Sequence, residues 1–185
     1  LQAGVLDREA LSVCRDTIVT ESFCVDVLIN AACGNMPGAT IPPEKTFLDL
    51  DVEAVRKVVD LNLFGTMIPT QIFVEPMAKA QKGVILNFSS ESALRPLTRV
   101  CGYGTAKAAI FNYTQYMATE LASKYTPNIR VNAITPGFLL TDQNRSLLTN
   151  ADGSYTDRAK SIIAHTPAGR FAEPKELFGA VHYLV

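Results

Sequence analysis

Apolar positions follow two alternating rhythms along the chain. Val25 to Asn30, Gly83 to Ser90 and Ile129 to Ile134 are short, largely apolar runs. Such runs suit strands buried on both faces, the signature of a parallel sheet. Leu1 to Val5 reads as the tail of another strand. Between these runs the spacing turns helical. Arg8 to Glu21 carries Leu11, Val13, Cys14, Ile18 and Val19, with Asp7 as its N-cap. Asp51 to about Lys79 is helical in pattern, and Gly65, Pro69 and Pro76 predict a kink or two pieces. Tyr103 to Tyr125 predicts a second long helix. Thr141 to Leu148, Thr156 to Ala164 and Pro174 to Leu184 are shorter helical stretches, the last opening on a proline as first helical residue.

Strands alternating with helices imply right-handed βαβ units, a parallel sheet and helices on both faces, an α/β fold. Ligands in such folds sit at the carboxyl ends of the strands. The polar and glycine-rich residues fall there: Asn30 to Gly34, Ser89-Ser90 and Pro136-Gly137.

Composition narrows the function classes. A length of 185 residues, 48% hydrophobic and 19% charged, fits one compact domain with a substantial core. A net charge of −1 leaves no basic footprint for nucleic acid. No apolar run approaches the roughly 20 residues that span a bilayer. Cys14, Cys24, Cys33 and Cys101 show no C-x-x-C pair and no metal spacing with His165 or His182. They read as small buried thiols in a reducing cytoplasm, with no metal site. No signal peptide is apparent. The chain opens on Leu1-Gln2-Ala3 and stops inside an apolar run, so both ends read as cut.

The candidate chemistry lies in residues 87–107. Tyr103 and Lys107, at i and i+4, share a helix face. A free phenol, with a pKa of about 10, is a poor base at neutral pH. A nearby ammonium stabilises the phenolate and brings that value toward the working range. Ser90 stands at a strand end before Tyr103, where a hydroxyl can hold a substrate oxygen while the phenol handles its proton. Asn62 sits where the long helix meets Gly65, and a helix break there can leave its carbonyl free to hold a water. Each residue alone has an ordinary alternative: a surface Tyr with a solvated Lys, a strand-end Ser capping the backbone, an imperfect helix.

Taken together, Asn30-Ala31-Ala32-Cys33-Gly34, Asn62, Ser90, Tyr103/Lys107 and Pro136-Gly137 with Thr141 resemble the short-chain dehydrogenase/reductase family over the whole chain. The resemblance implies a Rossmann-like, doubly wound parallel sheet lacking the first strands and the last strand, in a single partial domain. It implies an NAD(P)-dependent oxidoreductase interconverting a secondary alcohol and a ketone. Tyr103 would be the acid/base and Ser90 would steady the substrate oxygen. Lys107 would bind the nicotinamide ribose and depress the Tyr103 pKa, and Asn62 would position a relay water. Asn30 and Ala31 would meet the adenosine side, and Pro136, Gly137, Leu139 and Thr141 the nicotinamide side, of NAD or NADP. Within the family the likeness is to D-mannonate oxidoreductases or fructuronate reductases, carried by Gly34 to Pro37, Gln143 to Asn150, Ala164 to Pro167 and Gly169 to Phe171. For a sugar acid, Ser92, Arg95 and Arg145 are the substrate candidates, the arginines as carboxylate partners or simply as solvated surface groups. The resemblance further implies a cytoplasmic homo-oligomer, dimer or tetramer, built through the helices near 51–79 and 103–125.

The family's glycine-rich cofactor loop, T-G-x-x-x-G-x-G, has no counterpart in this sequence. Gly4 stands where the family usually has Asp, and Cys33 replaces a glycine of the N-x-A-G turn. The chain therefore reads as the catalytic half of a longer protein. The alternative is a truncated, inactive paralogue serving as an interaction subunit, or a gene fragment.

Overall fold

A computed structural model describes residues 1–185, except that the side chain of Gln143, in the 143–150 stretch named above, lies outside the described residues. The chain divides into two compact units: Leu1–Thr135 with Leu184–Val185, and Pro136–Tyr183.

The first unit is a parallel sheet with helices. Strands β1 (Val27–Asn30), β2 (Gly83–Phe88) and β3 (Ile129–Ile134) lie in the order β1-β2-β3. The register pairs Asn30 with Asn87 and Phe88 with Ile134. Helix α1 (Arg8–Ser22) is capped as its sequence predicts, Asp7 accepting from Ala10 N–H. Its stripe is narrower than the spacing predicts: Leu11 and Cys14 are buried, whereas Val13 is exposed. Leu1–Val5 is irregular rather than a strand. The Asp7 N–H closes a turn onto the Gly4 carbonyl (3.0 Å), which feeds α1 instead of a ladder.

The long helical stretch is two helices, α2 (Val52–Val59) and α3 (Gly65–Ala80), joined by a five-residue π-turn, Asp60–Phe64. Pro69 and Pro76 lie inside α3 without ending it. Pro69 lacks the N–H that would reach the Gly65 carbonyl, at the residue where the wide turn ends. The departure from α geometry is thus taken up one turn earlier than the prolines predict.

Helix α4 (Cys101–Lys124) and α3 pack on the strands. Ile85, Val131 and Ile129 meet Ile72, Phe73, Met77 and Leu121 in the main core. Full burial of a residue such as Ile85 stabilises the fold by about 2 kcal/mol. Gly102 lets α2 approach the first turn of α4, since a Cβ there would stand 3.0 Å from Val55 Cγ1.

The second unit holds α5 (Asp142–Leu148), α6 (Asp157–Ala164) and most of α7 (Phe178–Leu184). Its small core is Leu148, Ala159 and Phe171. Tyr155 packs edge-on against Phe171, ring centroids 5.5 Å apart. Among the described residues no helix is long and apolar enough to cross a membrane. The cysteines depart from the expectation of burial: Cys14 is buried, but Cys33 and Cys101 are exposed, one on the loop after β1 and one at the start of α4.

Candidate active site

Strand β2 ends at Phe88, and the two serines that follow carry on from it. The Ser89 N–H continues the ladder to the Ile134 carbonyl (2.9 Å). Ser90, in extended conformation, caps the short turn Glu91–Ala93, its Oγ accepting from Ser92 N–H at 3.2 Å. That contact uses an acceptor lone pair and leaves the hydroxyl proton free. The Ser90 hydroxyl lies close enough to the Tyr103 phenol to favour its ionised form.

Tyr103 lies in the first turn of α4, and Lys107 one turn on. The Lys107 ammonium sits 5.5 Å from the centre of the Tyr103 ring, over its face. Its Nζ donates to the Phe88 carbonyl at 2.7 Å, and the residue is 1% exposed. Burial pushes the Tyr103 phenol above its ordinary value; Ser90 pulls it back, and a charge on Cys33 adds a smaller upward push. Burial likewise pulls the Lys107 ammonium down. The expected depression of Tyr103 by Lys107 is therefore not the outcome. The ammonium faces the ring rather than the phenol oxygen, and desolvation dominates.

Asn62 is fully buried in the π-turn. Its Nδ2 donates to the Gly34 carbonyl (2.7 Å) and the Val58 carbonyl (2.8 Å), and its Oδ1 accepts from Gly34 N–H (3.4 Å). The side chain thus clamps the loop after β1 to the helix break, where π-turns often mark functional sites. Its carbonyl is not wholly free, because Thr66 Oγ1 donates to it at 2.9 Å.

Other expected site residues fall elsewhere. The Asn30 amide is directed into the sheet, donating to Thr70 Oγ1 and Asn87 Oδ1, each at 2.9 Å. Its side chain is thereby withheld from a cofactor, and only its main chain is left for that role. Ala31 is exposed. Ser92 is 6% exposed, and its Oγ is the one buried side-chain polar atom without a partner among the described residues. It serves the site through its N–H, not through a hydroxyl that a substrate can reach. The Arg95 side chain is 81% exposed and ion-paired with Glu91 at 3.2 Å. In the second unit, Arg145 pairs with Asp142 (3.5 Å), Thr141 N–H donates to Asn144 Oδ1 (2.9 Å), and Leu139 bridges to Ala172. Pro136 and Gly137 open that unit.

Sequence reading missed the Phe88 carbonyl, Ser89 and a buried polar belt. In the belt Asn87 Nδ2 donates to Thr114 Oγ1 (3.0 Å), and Thr70 favours the ionised form of the neighbouring Tyr113 phenol. The signal was present: Asn30 and Asn87 are polar residues near the ends of apolar runs, and they are register partners.

The residues fit the ribose end of a nicotinamide dinucleotide. Lys107 offers a buried ammonium with one acceptor among the described residues, leaving two N–H donors for hydroxyls beside a phenol. A hydroxyl, a phenol and an ammonium thus meet at the carboxyl end of a central parallel strand, in a Rossmann-like α/β protein, and such a set can move a proton on and off an oxygen. The family model for short chain dehydrogenases matches residues 1–152. The chain therefore belongs to the short-chain dehydrogenase family. It is 41% identical to an uncharacterized oxidoreductase of Haemophilus influenzae, matching 100% of this chain and 67% of that one. It is 40% identical to the uncharacterized oxidoreductase UxuB of Bacillus subtilis, matching 98% of this chain and 67% of that one. Among solved structures, a Haemophilus protein provisionally described as a D-mannonate oxidoreductase, with bound NAD, superposes with a TM-score of 0.88 at 41% identity, over 98% of this chain and 67% of that one. Other structures of the same fold hold NADP. The chain thus spans about two thirds of the length of its matched relatives.

Proposed function

We propose that this protein interconverts a secondary alcohol and a ketone with NAD or NADP, and that its substrate is a sugar acid of the mannonate/fructuronate type. The arrangement of Ser90, Tyr103 and Lys107 carries this reading. In the oxidative direction the Ser90 hydroxyl holds the substrate oxygen, and Tyr103 takes the alcohol proton. A bound nicotinamide would supply the acceptor for the hydride that leaves the carbinol carbon. Lys107 holds the ribose through the N–H donors not used on Phe88. Asn62 keeps the loop after β1 in place, and its main-chain carbonyl positions a relay water. The Asn30 main chain and Ala31 line the adenosine side, while Pro136, Gly137, Leu139 and Thr141 line the nicotinamide side.

The substrate class is supported by the Haemophilus relative's description as a mannonate oxidoreductase. Arg95, in the loop between Ser90 and Tyr103, exchanges Glu91 for a substrate carboxylate. Arg145 is the second candidate for that contact. The 185 residues form the catalytic part of one Rossmann-like domain in a cytoplasmic homo-oligomer. Val52, Phe64 and Tyr116, exposed on α2, the π-turn and α4, supply apolar surface for that assembly.

The test is turnover of D-mannonate, and of a neutral polyol of equal length, with NAD+ and with NADP+. A rate on the acid that Arg95→Ala lowers through KM supports the reading. Equal rates on acid and polyol, unchanged in Arg95→Ala, would remove the sugar-acid assignment.

A further inference from the structure

Lys107 is held at two points by consecutive residues. The Phe88 carbonyl takes its ammonium at 2.7 Å, and Ser89 Oγ donates to its main-chain carbonyl at 3.0 Å. A helix carbonyl ordinarily receives only the N–H four residues on. Here it receives a hydroxyl as well, from a residue 3% exposed whose own N–H is fixed on Ile134. The two ties differ in kind. The ammonium tie runs through a flexible four-carbon stem and cannot fix the helix. The Ser89 tie joins the α4 main chain to a ladder-bound residue through a side chain only two bonds long. It pins α4 to the end of β2 at the Lys107 carbonyl. Ser90 follows Ser89 directly, and Tyr103 lies one turn before Lys107. Whatever fixes Ser89 against Lys107 therefore fixes Ser90 against Tyr103.

We infer that Ser89 is a positioning residue: it locks the Lys107 backbone to the end of β2, so that Ser90 and Tyr103 stay in register while the Lys107 side chain is free to exchange Phe88 for a ligand hydroxyl. The inference rests on the acid/base reading of Tyr103 for its catalytic consequence, but not for its geometry. Replacing Ser89 by alanine removes one atom and orphans no donor, because the hydroxyl leaves together with its proton. The Lys107 carbonyl keeps its place in the helix, so the variant folds.

The experiment follows Tyr103 ionisation by ultraviolet difference absorbance in the full chain, with Tyr103→Phe as the subtraction that isolates its phenol. It needs neither cofactor nor turnover. The Ser90 hydroxyl favours the phenolate, so misalignment of Ser90 moves the titration to higher pH. Ser89→Ala is expected to titrate higher than the native protein, Ser89→Thr to return it, and Ser89→Ala in a Ser90→Ala background to add nothing to Ser90→Ala alone. In the active enzyme kcat falls roughly tenfold in Ser89→Ala with KM little changed, the loss expected of a small misplacement. A native titration in Ser89→Ala, or a further shift in the double variant, overturns the inference. Full turnover in Tyr103→Phe overturns the functional reading instead, and leaves the titration to decide Ser89.

Discussion

Two polar groups lie at the carboxyl ends of the same strands, and they are wired differently. In the belt, Asn30, Thr70, Asn87 and Thr114 are all buried and hydrogen-bonded to one another or to helix carbonyls. A few residues along, the Ser90 proton and two N–H donors of Lys107 have capacity left over. Buried polar groups that are fully paired specify the fold. Groups kept near saturation but short of it can receive a substrate. The contrast separates what holds α3 and α4 to the sheet from what performs chemistry on them.

Mutation breaks the comparison in opposite directions. Ser90→Ala is expected to lower kcat about 100- to 1000-fold, as loss of an oriented donor to a reacting oxygen does, with an unchanged melting temperature. Asn87→Ala should do the reverse. It strips two side-chain hydrogen bonds from Asn30 and Thr114 and should cost about 2–4 kcal/mol of stability, read by urea denaturation, while surviving folded protein keeps its kcat. If Asn87→Ala were as stable as the native chain, the belt would not be a structural device.

Alkaline pH sharpens the distinction further. Burial raises the pKa of Tyr113, which Thr70 partly offsets, and of Tyr103. An unfolded phenol loses its proton near about pH 10, whereas the folded one keeps it. The unfolded state then binds fewer protons, so stability falls as pH rises from about 10 through the folded values. Tyr113→Phe should make that decline shallower in pH-dependent denaturation. Lys107 acts oppositely, since its lowered pKa makes stability rise with pH from its folded value to its unfolded one. The smallest effect is expected at Arg95. Its exposed pair with Glu91 should be worth less than about 1 kcal/mol, so Arg95→Ala should leave the melting temperature nearly unchanged.

Much of this was legible in the sequence. Ile129–Ile134 and the Asp7 cap appear where the pattern puts them, because burial and capping are local signals. The Ser90, Tyr103 and Lys107 cluster was legible because a strand end and one helix face bring it together. What was not legible depends on partners distant in sequence. Leu1–Val5 has strand-like residues but closes a turn into α1. The prolines of α3 mark a distortion that the π-turn absorbs upstream. Asn30 looks like a loop residue facing a ligand until Thr70 and Asn87 claim its amide. The direction of the Tyr103 shift depends on burial and on which face of the ring the ammonium covers, and neither is encoded in a four-residue spacing.

The central claim is that Tyr103 is the acid/base of an alcohol–ketone oxidoreductase. The most direct measurement is kcat for cofactor-dependent oxidation of a secondary alcohol by the protein and by Tyr103→Phe, compared at equal folded fraction. A loss of about 1000-fold in the variant, with melting temperature and cofactor affinity retained, is the predicted result; equal kcat in the two proteins would contradict it.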